Sequence, residues 1–148
     1  MGGRRVSSDL PLHSVSVTGV VQRSDGRILA IRRADDGRWV PPGGVLEMTE
    51  TPQEGVVREV LEETGVKVEP IRLTGVYKNM RLGVVSLAIL CRPVSGDPHP
   101  TDEATAVAWL LPTEAVEFMP EARAVRVTDA LRDGGPFVRA HDGSKLLD

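Results

Sequence analysis

Three glutamates within five residues carry the strongest chemical signal in this sequence. Glu59, Glu62 and Glu63 stand at positions i, i+3 and i+4, a spacing that places their carboxylates on one face of a helix. Like charges this close destabilise a helix unless a cation lies among them. Mg²⁺ and Mn²⁺ favour carboxylate oxygens and bind together with substrate phosphates. The spacing therefore indicates a divalent-metal site suited to phosphate chemistry.

The helix that carries these glutamates has clear boundaries in the sequence. Thr51 is a suitable N-cap, Pro52 fits the first helical position, and Glu54 completes a capping box with Thr51. Gly65 supplies the C-terminal stop. At 100° per residue, Gly55 and the three glutamates share one side of the helix, and we expect the other side to pack against the core. The side expected to face the core consists of Gln53, Val57, Val60, Leu61 and Thr64.

The segment before the helix also has the residues of a ligand-binding loop. Pro-Pro-Gly-Gly at 41–44 is a turn sequence that lets the backbone approach a ligand closely, so one of its carbonyls is a candidate metal ligand. Glu47 and Glu50 add negative charge near the helix N-terminus, which the helix dipole favours. Arg58 follows Glu50 by eight residues and precedes Glu62 by four. Arg58 is thus placed to pair with either carboxylate.

Three glutamates at this spacing are also typical of a solvated helix with an acidic outer face, and the longer string separates the two interpretations. Residues 44–66 match G-x5-E-x7-R-E-U-x-E-E-x-G-U, where U is aliphatic, at every fixed position. Val60 and Val66 fill the two U positions. This 23-residue match resembles the signature of the Nudix hydrolase family, in particular its MutT-type members, and it covers 23 of the 148 residues.

The resemblance implies both a fold and a reaction. The fold would be α+β, an α/β/α sandwich with a mixed β-sheet between helices, and the mixture of strands with two substantial helices favours the same arrangement. The reaction would be metal-dependent hydrolysis of the pyrophosphate bond in a nucleoside diphosphate that is linked to another group. The cofactor would be Mg²⁺, or Mn²⁺, and the partner a small nucleotide substrate.

The resemblance also assigns roles to individual residues. Arg58 and Glu50 would orient the carboxylates that bind the metal, and Gly44, Glu50 and Gly65 are fixed positions of the motif. The implied metal ligands are Glu59, Glu63, Glu62 as a further candidate, and the backbone carbonyl of Gly43.

The general base stays open at this stage. Glu62 is one candidate, and Glu103 is another because MutT-type proteins carry a glutamate in the loop before the corresponding strand. Asp102 is adjacent and has the same chemistry. A solvent-exposed loop residue without a catalytic role is an equally good interpretation of Glu103 taken alone.

Candidate substrate contacts lie outside the motif. Arg32 and Arg33 end an apolar strand on alternating faces, so at most one of them points into the site, where a guanidinium can bind phosphate. Surface charges at a strand end are the alternative. Tyr77 and Phe118 are the candidates for stacking on a nucleobase. The two tryptophans, Trp39 and Trp109, are expected in the core.

The chain is expected to form one domain over residues 12–140, with a flexible segment at 1–11 and a tail at 141–148. A hairpin turn at 24–27 joins the first two strands, and a helical turn begins at 111–113 with Thr113 as its cap. Residues 137–148 are expected to be irregular. The predicted strands cover 13–22, 28–32, 68–78, 82–92 and 104–110, and a second helix covers 121–131.

Composition limits the partners. The net charge is −3 and there is no basic block, which argues against a nucleic-acid polymer as partner. The single cysteine, Cys91, excludes an internal disulfide and is expected to be buried in a strand. The sequence shows neither a secretory signal nor an apolar run long enough to span a membrane, which predicts a cytoplasmic protein. A homodimer is compatible with the sequence but not required by it.

Two other classes of function stay open. A non-catalytic, nucleotide-binding Nudix-like sensor usually loses a carboxylate of the motif, whereas this chain keeps them all. An unrelated protein that interacts through an acidic helix would have no affinity for metal ions.

Overall fold

A computed structural model describes residues 9–148. Most of the N-terminal segment predicted to be flexible, residues 1–8, lies outside the described residues. No helix in the described part of the chain is long and apolar enough to cross a membrane.

Residues 9–148 form nine strands and three helices. The helices are α1 (Pro52–Thr64), α2 (Pro112–Phe118) and α3 (Glu121–Leu131). The strands are β1 (Ser14–Val21), β2 (Ile28–Arg33), β3 (Trp39–Val40), β4 (Gly43–Val45), β5 (Lys67–Asn79), β6 (Val84–Ser95), β7 (Ala104–Leu110), β8 (Phe137–His141) and β9 (Leu146–Leu147).

The strands form two sheets. The larger has the order β4-β1-β6-β5-β8-β9 and is mixed, because β1 pairs with β6 and β5 with β8 in parallel while the other pairs are antiparallel. The smaller has the order β3-β2-β7. The predicted turn between β1 and β2 is present, with Gly26 N–H donating to the carbonyl of Arg23 at 2.9 Å. The strands then part after one bridge, Gln22 to Ile28, so the predicted hairpin continues no further.

Side-chain alternation along β1 places helices on both faces of the larger sheet. Val17 and Val21 pack in one core cluster with Val56 and Val60 of α1, whereas Val20 packs in another with residues of α2 and α3. The α+β sandwich with a mixed sheet between helices is therefore confirmed. Cys91 is buried on β6, as expected.

Helix α1 has the predicted ends, but its buried face matches the predicted one only in part. The capping box is formed, with Glu54 N–H donating to Thr51 Oγ1 at 3.2 Å and Thr51 N–H to Glu54 Oε1 at 2.9 Å. Gly65 ends the helix with a φ of 81°, which favours glycine. The face predicted for the core was only partly right, because Val60 and Thr64 are buried whereas Leu61 is 47% exposed. The buried residues are Gly55, Val56, Glu59, Val60, Glu63 and Thr64.

The C-terminal part of the chain is more regular than predicted. Residues 137–148, expected to be irregular, contribute β8 and β9 to the larger sheet. The prediction failed because β8 is stabilised by parallel pairing with the distant β5 rather than by a local sequence pattern. Helix α2 begins at Pro112 after Leu111, whose N–H donates to Glu114 Oε1 at 2.8 Å, so Thr113 is not the cap.

A buried polar layer joins α3 to the larger sheet. Arg126 Nη1 donates to Thr18 Oγ1 at 2.9 Å and to Ser86 Oγ at 3.0 Å. In the same layer, His141 Nδ1 accepts the N–H of Gly143 at 2.9 Å. Burial, followed by the positive charges of Arg126 and Arg123, lowers the pKa of His141 to about 4.

The lowered pKa of His141 predicts a pH-dependent stability. The folded-state pKa of about 4 lies below the ordinary value of 6.5, so between these values the unfolded chain binds more protons than the folded one. Stability is then lost as pH falls from about 6.5 to about 4, and this group causes no further loss below that. The expected loss is about 1–3 kcal/mol at about 1.4 kcal/mol per pKa unit.

The measurement is the free energy of unfolding in urea between pH 7.5 and 4, for the wild type, His141→Gln and the exposed-residue control His13→Gln. We expect the difference between wild type and His141→Gln to change with pH in this window, and the control to follow the wild type. Parallel pH profiles for the wild type and His141→Gln would contradict the assignment.

Candidate active site

Three carboxylates from two parts of the chain meet at one point. Glu59, Glu63 and Glu103 each offer an oxygen, and these oxygens all lie within 4.8 Å of one another. Glu59 and Glu63 are on the buried face of α1, and Glu103 is exposed in the loop just before β7. An all-carboxylate set of donors suits Mg²⁺ or Mn²⁺, so these residues fit a divalent metal.

Hydrogen bonds hold the Glu103 loop against α1 and against the residue that follows β2. Thr101 Oγ1 donates to the carbonyl of Glu63 at 3.2 Å, and Ala34 N–H donates to the carbonyl of Glu103 at 3.0 Å. Glu103 therefore reaches the site through tertiary contacts, which the sequence motif does not encode.

Glu63 is the most perturbed carboxylate of the cluster. Burial, with further contributions from the negative charges of Glu59 and Glu103, raises its pKa to about 8. The N–H of Gly43, which donates to Glu63 Oε1 at 2.7 Å, acts in the opposite direction. A divalent cation at this point would offset the repulsion that these side chains experience.

The carboxylate of Glu59 lies in the space that a side chain at position 44 would fill. A Cβ atom added at Gly44 would lie 2.6 Å from the Glu59 carboxylate carbon, so glycine at this position is what lets the carboxylate lie against β4. Burial raises the pKa of Glu59, and a hydrogen bond from Arg58 Nη1 at 2.9 Å opposes that shift.

Arg58 binds several acceptors around the cluster. Its Nε and Nη2 donate to the Glu50 carboxylate at 2.9 and 2.5 Å, and Nη2 also donates to the carbonyl of Val45 at 3.2 Å. Nη1 reaches Glu62 at 3.3 Å. Both predicted partners, Glu50 and Glu62, therefore contact Arg58. The hydrogen bond from Arg58 is the main cause that lowers the pKa of Glu50 to about 2.

Glu62 stands apart from the three converging carboxylates. It lines the same cleft, but its side chain is 55% exposed and its carboxylate is tied to Arg58. Among residues 9–148, the carboxylates that lie close enough together to share an ion are those of Glu59, Glu63 and Glu103, and Glu62 is not one of them.

The carboxylates open onto a cleft of about 650 Å³. Gly43 and Gly44 line it on one side, and Asp102 lies beside Glu103. Three arginines also line it: Arg33 from β2, and Arg123 and Arg126 from α3. The cleft thus contains acidic and basic side chains together.

The predicted substrate contacts are only partly in this cleft. Arg33 lines it, whereas Arg32 is exposed elsewhere and donates to the carbonyl of Gly37 at 3.1 Å. Tyr77 is fully buried and donates to Asp129 Oδ2 at 2.8 Å, so a nucleobase has no access to it. Phe118, at the end of α2, is not among the cleft residues. The stacking roles expected of Tyr77 and Phe118 are therefore not supported by their positions.

The tryptophans are placed as expected. Trp39 packs against the core cluster on the α2 and α3 side, and Trp109 against the cluster on the α1 side.

Sequence reasoning missed the two arginines on α3. Arg123 and Arg126 are three residues apart, a spacing that places them on one helix face. The same helix buries Ala122, Ala124 and Ala130. Two arginines within this apolar pattern are the feature of the sequence that could have indicated charged side chains pointing towards the interior.

Comparisons with known proteins agree with the fold and the motif. Residues 12–131 match the NUDIX domain family. A MutT-like protein of Streptomyces ambofaciens is 58% identical over 93% of this chain and 89% of its own length. An ADP-ribose pyrophosphatase of Methanocaldococcus jannaschii is 36% identical over 64% of this chain and 60% of its own.

Solved structures show the same fold. An ADP-ribose pyrophosphatase from Streptococcus suis superposes with a TM-score of 0.73 at 21% identity, covering 86% of this chain and 98% of that one. The chain belongs to the Nudix family. Its class of enzyme is accordingly a Nudix pyrophosphohydrolase.

The contact between Gly44 and Glu59 predicts the effect of adding one methyl group. The φ of Gly44 is not positive, so alanine fits the backbone, but its Cβ displaces the Glu59 carboxylate. We expect Gly44→Ala to weaken Mn²⁺ binding by about 10–100-fold. Calorimetric titration measures this, with Val45→Ala at the neighbouring exposed position as control. Unchanged Mn²⁺ affinity in folded Gly44→Ala would remove Glu59 from the ligand set.

Proposed function

We propose that this protein uses a divalent metal to hydrolyse the pyrophosphate bond of a nucleoside diphosphate linked to another group. The observation that carries the proposal is the convergence of Glu59, Glu63 and Glu103 in a cleft that is also lined by arginines. Mg²⁺, or Mn²⁺, would be held by Glu59 and Glu63. Glu62 and the carbonyl of Gly43 are the further candidate ligands.

The metal and the protein have separate tasks in this proposal. When bound, the ion supplies Lewis acidity that neutralises phosphate oxygens and makes water more acidic. Arg58 keeps Glu59 in position and Glu50 keeps Arg58 in position, through the hydrogen bonds described above. Gly43 N–H orients Glu63 in the same way.

A carboxylate of the protein takes the proton of the attacking water. The water oxygen bonds to phosphorus, the bridging P–O bond breaks, and the leaving phosphate departs with the bond electrons. Glu103 is the preferred base because it is exposed and its carboxylate reaches the cluster. Glu62 is the second candidate, since it lines the cleft but is hydrogen-bonded to Arg58.

The choice of substrate is guided by the relatives. The Methanocaldococcus jannaschii relative is an ADP-ribose pyrophosphatase, so ADP-ribose-type compounds and nucleoside triphosphates are the first to test. All carboxylates of the motif are present and the buried pair is intact, which favours a hydrolase over a non-catalytic nucleotide sensor.

Removal of one charge at Glu63 tests the proposal. We expect Glu63→Gln to lower kcat about 10³-fold or more, because one metal ligand is lost. The fold should survive, since glutamine is isosteric and retains an oxygen for Gly43 N–H. The assay is Mg²⁺-dependent release of phosphate or pyrophosphate across a panel of nucleoside diphosphate derivatives.

Glu54→Gln is the matched control, because Glu54 lies on the same helix and glutamine maintains the capping box. Near-normal turnover in folded Glu63→Gln would refute the metal site. A wild type that binds nucleotides but hydrolyses none of the panel would favour the sensor.

A second substitution addresses the general base. We expect Glu103→Gln to lower kcat about 10²–10⁴-fold, with a smaller effect on Mn²⁺ affinity. Asp102→Asn is the comparison, because Asp102 is adjacent and also lines the cleft. If Glu103→Gln leaves kcat unchanged, the base is not Glu103; loss of turnover in Asp102→Asn alone would assign it to Asp102.

A further inference from the structure

The cleft has a cationic part that the proposed hydrolysis does not use. Arg33, Arg123 and Arg126 line the cleft. Arg33 is paired, since its Nε donates to Asp35 Oδ1 at 2.9 Å. Neither Arg123 nor Arg126 has a carboxylate oxygen within 4.0 Å of its guanidinium among residues 9–148.

Arg126 is a buried charge surrounded by neutral partners. The residue is 2% exposed, and its hydrogen-bond acceptors are the hydroxyls of Thr18 and Ser86 and the carbonyl of Ala122. Burial, followed by repulsion from Arg123, lowers its pKa to about 9, so it remains charged at neutral pH. The guanidinium also lies 5.1 Å from the centroid of the Tyr77 ring, but no described carboxylate neutralises it. A buried charge without an ionic partner costs free energy on folding, which points to an anion that the protein binds here.

The contact between Arg126 and His141 leaves a donor without an acceptor. Gly143 N–H donates to His141 Nδ1 at 2.9 Å, so a neutral imidazole carries its proton on Nε2. That Nε2 lies 3.3 Å from Arg126 Nη2. Two N–H groups cannot hydrogen-bond to each other. Nη2 of Arg126 therefore lacks an acceptor in the part of the chain that the structure describes, beside a cleft that Arg126 itself lines.

The lining of the cleft matches an anion better than an aromatic ring. None of the described residues that line it is aromatic, so the walls offer no side chain on which a nucleobase would stack. Arginines instead form strong, charge-assisted hydrogen bonds to phosphate oxygens. Arg123 adds a second positive charge, and its pKa is lowered by burial and then by Arg33, as expected where cations crowd together.

We propose that Arg126 and Arg123 form a subsite for a phosphoryl group of the substrate that lies outside the bond being cleaved. The inference rests on the proposed hydrolase function. It deepens that function by naming a substrate class: nucleoside diphosphate derivatives that carry an additional phosphate. That phosphate belongs either to a longer phosphate chain or to a phosphorylated sugar.

The test is calorimetric titration of inorganic phosphate into the metal-free full-length protein in EDTA. Without metal, binding reports on the arginines rather than on the carboxylate cluster. We expect the wild type to bind phosphate with a millimolar or lower Kd, and Arg123→Gln and Arg126→Gln to weaken binding at least tenfold. Arg92→Gln, an exposed arginine paired with Glu69, should match the wild type.

Arg126→Lys keeps the test decisive if Arg126→Gln does not fold, because lysine preserves the charge but not the two-pronged geometry. It should bind phosphate more weakly than the wild type, and Arg123→Gln, at a half-buried position, should do the same. Absence of phosphate binding by the wild type, or unchanged affinity in Arg123→Gln, would overturn the subsite.

Substrate pairs identify where the phosphate comes from. In the hydrolysis assay, a nucleoside triphosphate is compared with its diphosphate, and ADP-ribose with a ribose-phosphorylated analogue. We expect Arg123→Gln to raise KM at least tenfold for the phosphorylated member of one pair, with kcat little changed. An equal rise in KM for both members of each pair would contradict the substrate class. Phosphate binding is measured without turnover, so a failed hydrolysis assay and a failed subsite give different results.

Discussion

The placement of two carboxylates on the buried side of α1 is the constraint on which the site depends. Glu59 and Glu63 lie against the backbone of β4, where Gly44 leaves room for one carboxylate and Gly43 N–H binds the other. Burying negative charge costs free energy unless it is paired. Arg58 compensates part of it, but the raised pKa of Glu63 shows that the protein alone leaves the cluster under-compensated. This deficit is what a bound divalent cation would correct.

The same cleft carries the opposite imbalance on α3. Arg126 is buried with neutral partners. Among residues 9–148, its positive charge has no anionic partner, just as the buried negative charge at Glu63 has no cation bound to it. A metal-bound phosphate ester would supply both missing charges, the cation at the carboxylates and the anion at the arginines. The cleft of the free protein is therefore electrostatically complementary to a ligand that brings both a cation and an anion.

Features set by neighbouring residues could be predicted from the sequence. The ends of α1 follow from Thr51, Glu54 and Gly65 because capping is local. The buried face of α1 could not be predicted in full from hydrophobicity, because that criterion places all three glutamates towards solvent, whereas Glu59 and Glu63 are buried. Strand β8 depends on pairing with the distant β5. The expected stacking role of Tyr77 is not supported because its hydroxyl is buried against Asp129, an acceptor distant in the sequence.

Thr18 links the two charged regions of the cleft. It pairs in the sheet with Gly43, whose N–H binds Glu63, and its hydroxyl accepts a hydrogen bond from Arg126. The adjacent Gly19 N–H donates to the carbonyl of Pro42 at 2.8 Å, which fixes the loop before β4 to the same strand. Strand β1 lies inside the larger sheet between β4 and β6, so the acidic and basic groups are both connected to one central strand, Arg126 through Thr18 and Glu63 through Gly43. A ligand that contacts both the acidic and the basic groups would find hydrogen-bond donors and acceptors already in position. Its binding would therefore cost little free energy for ordering protein side chains.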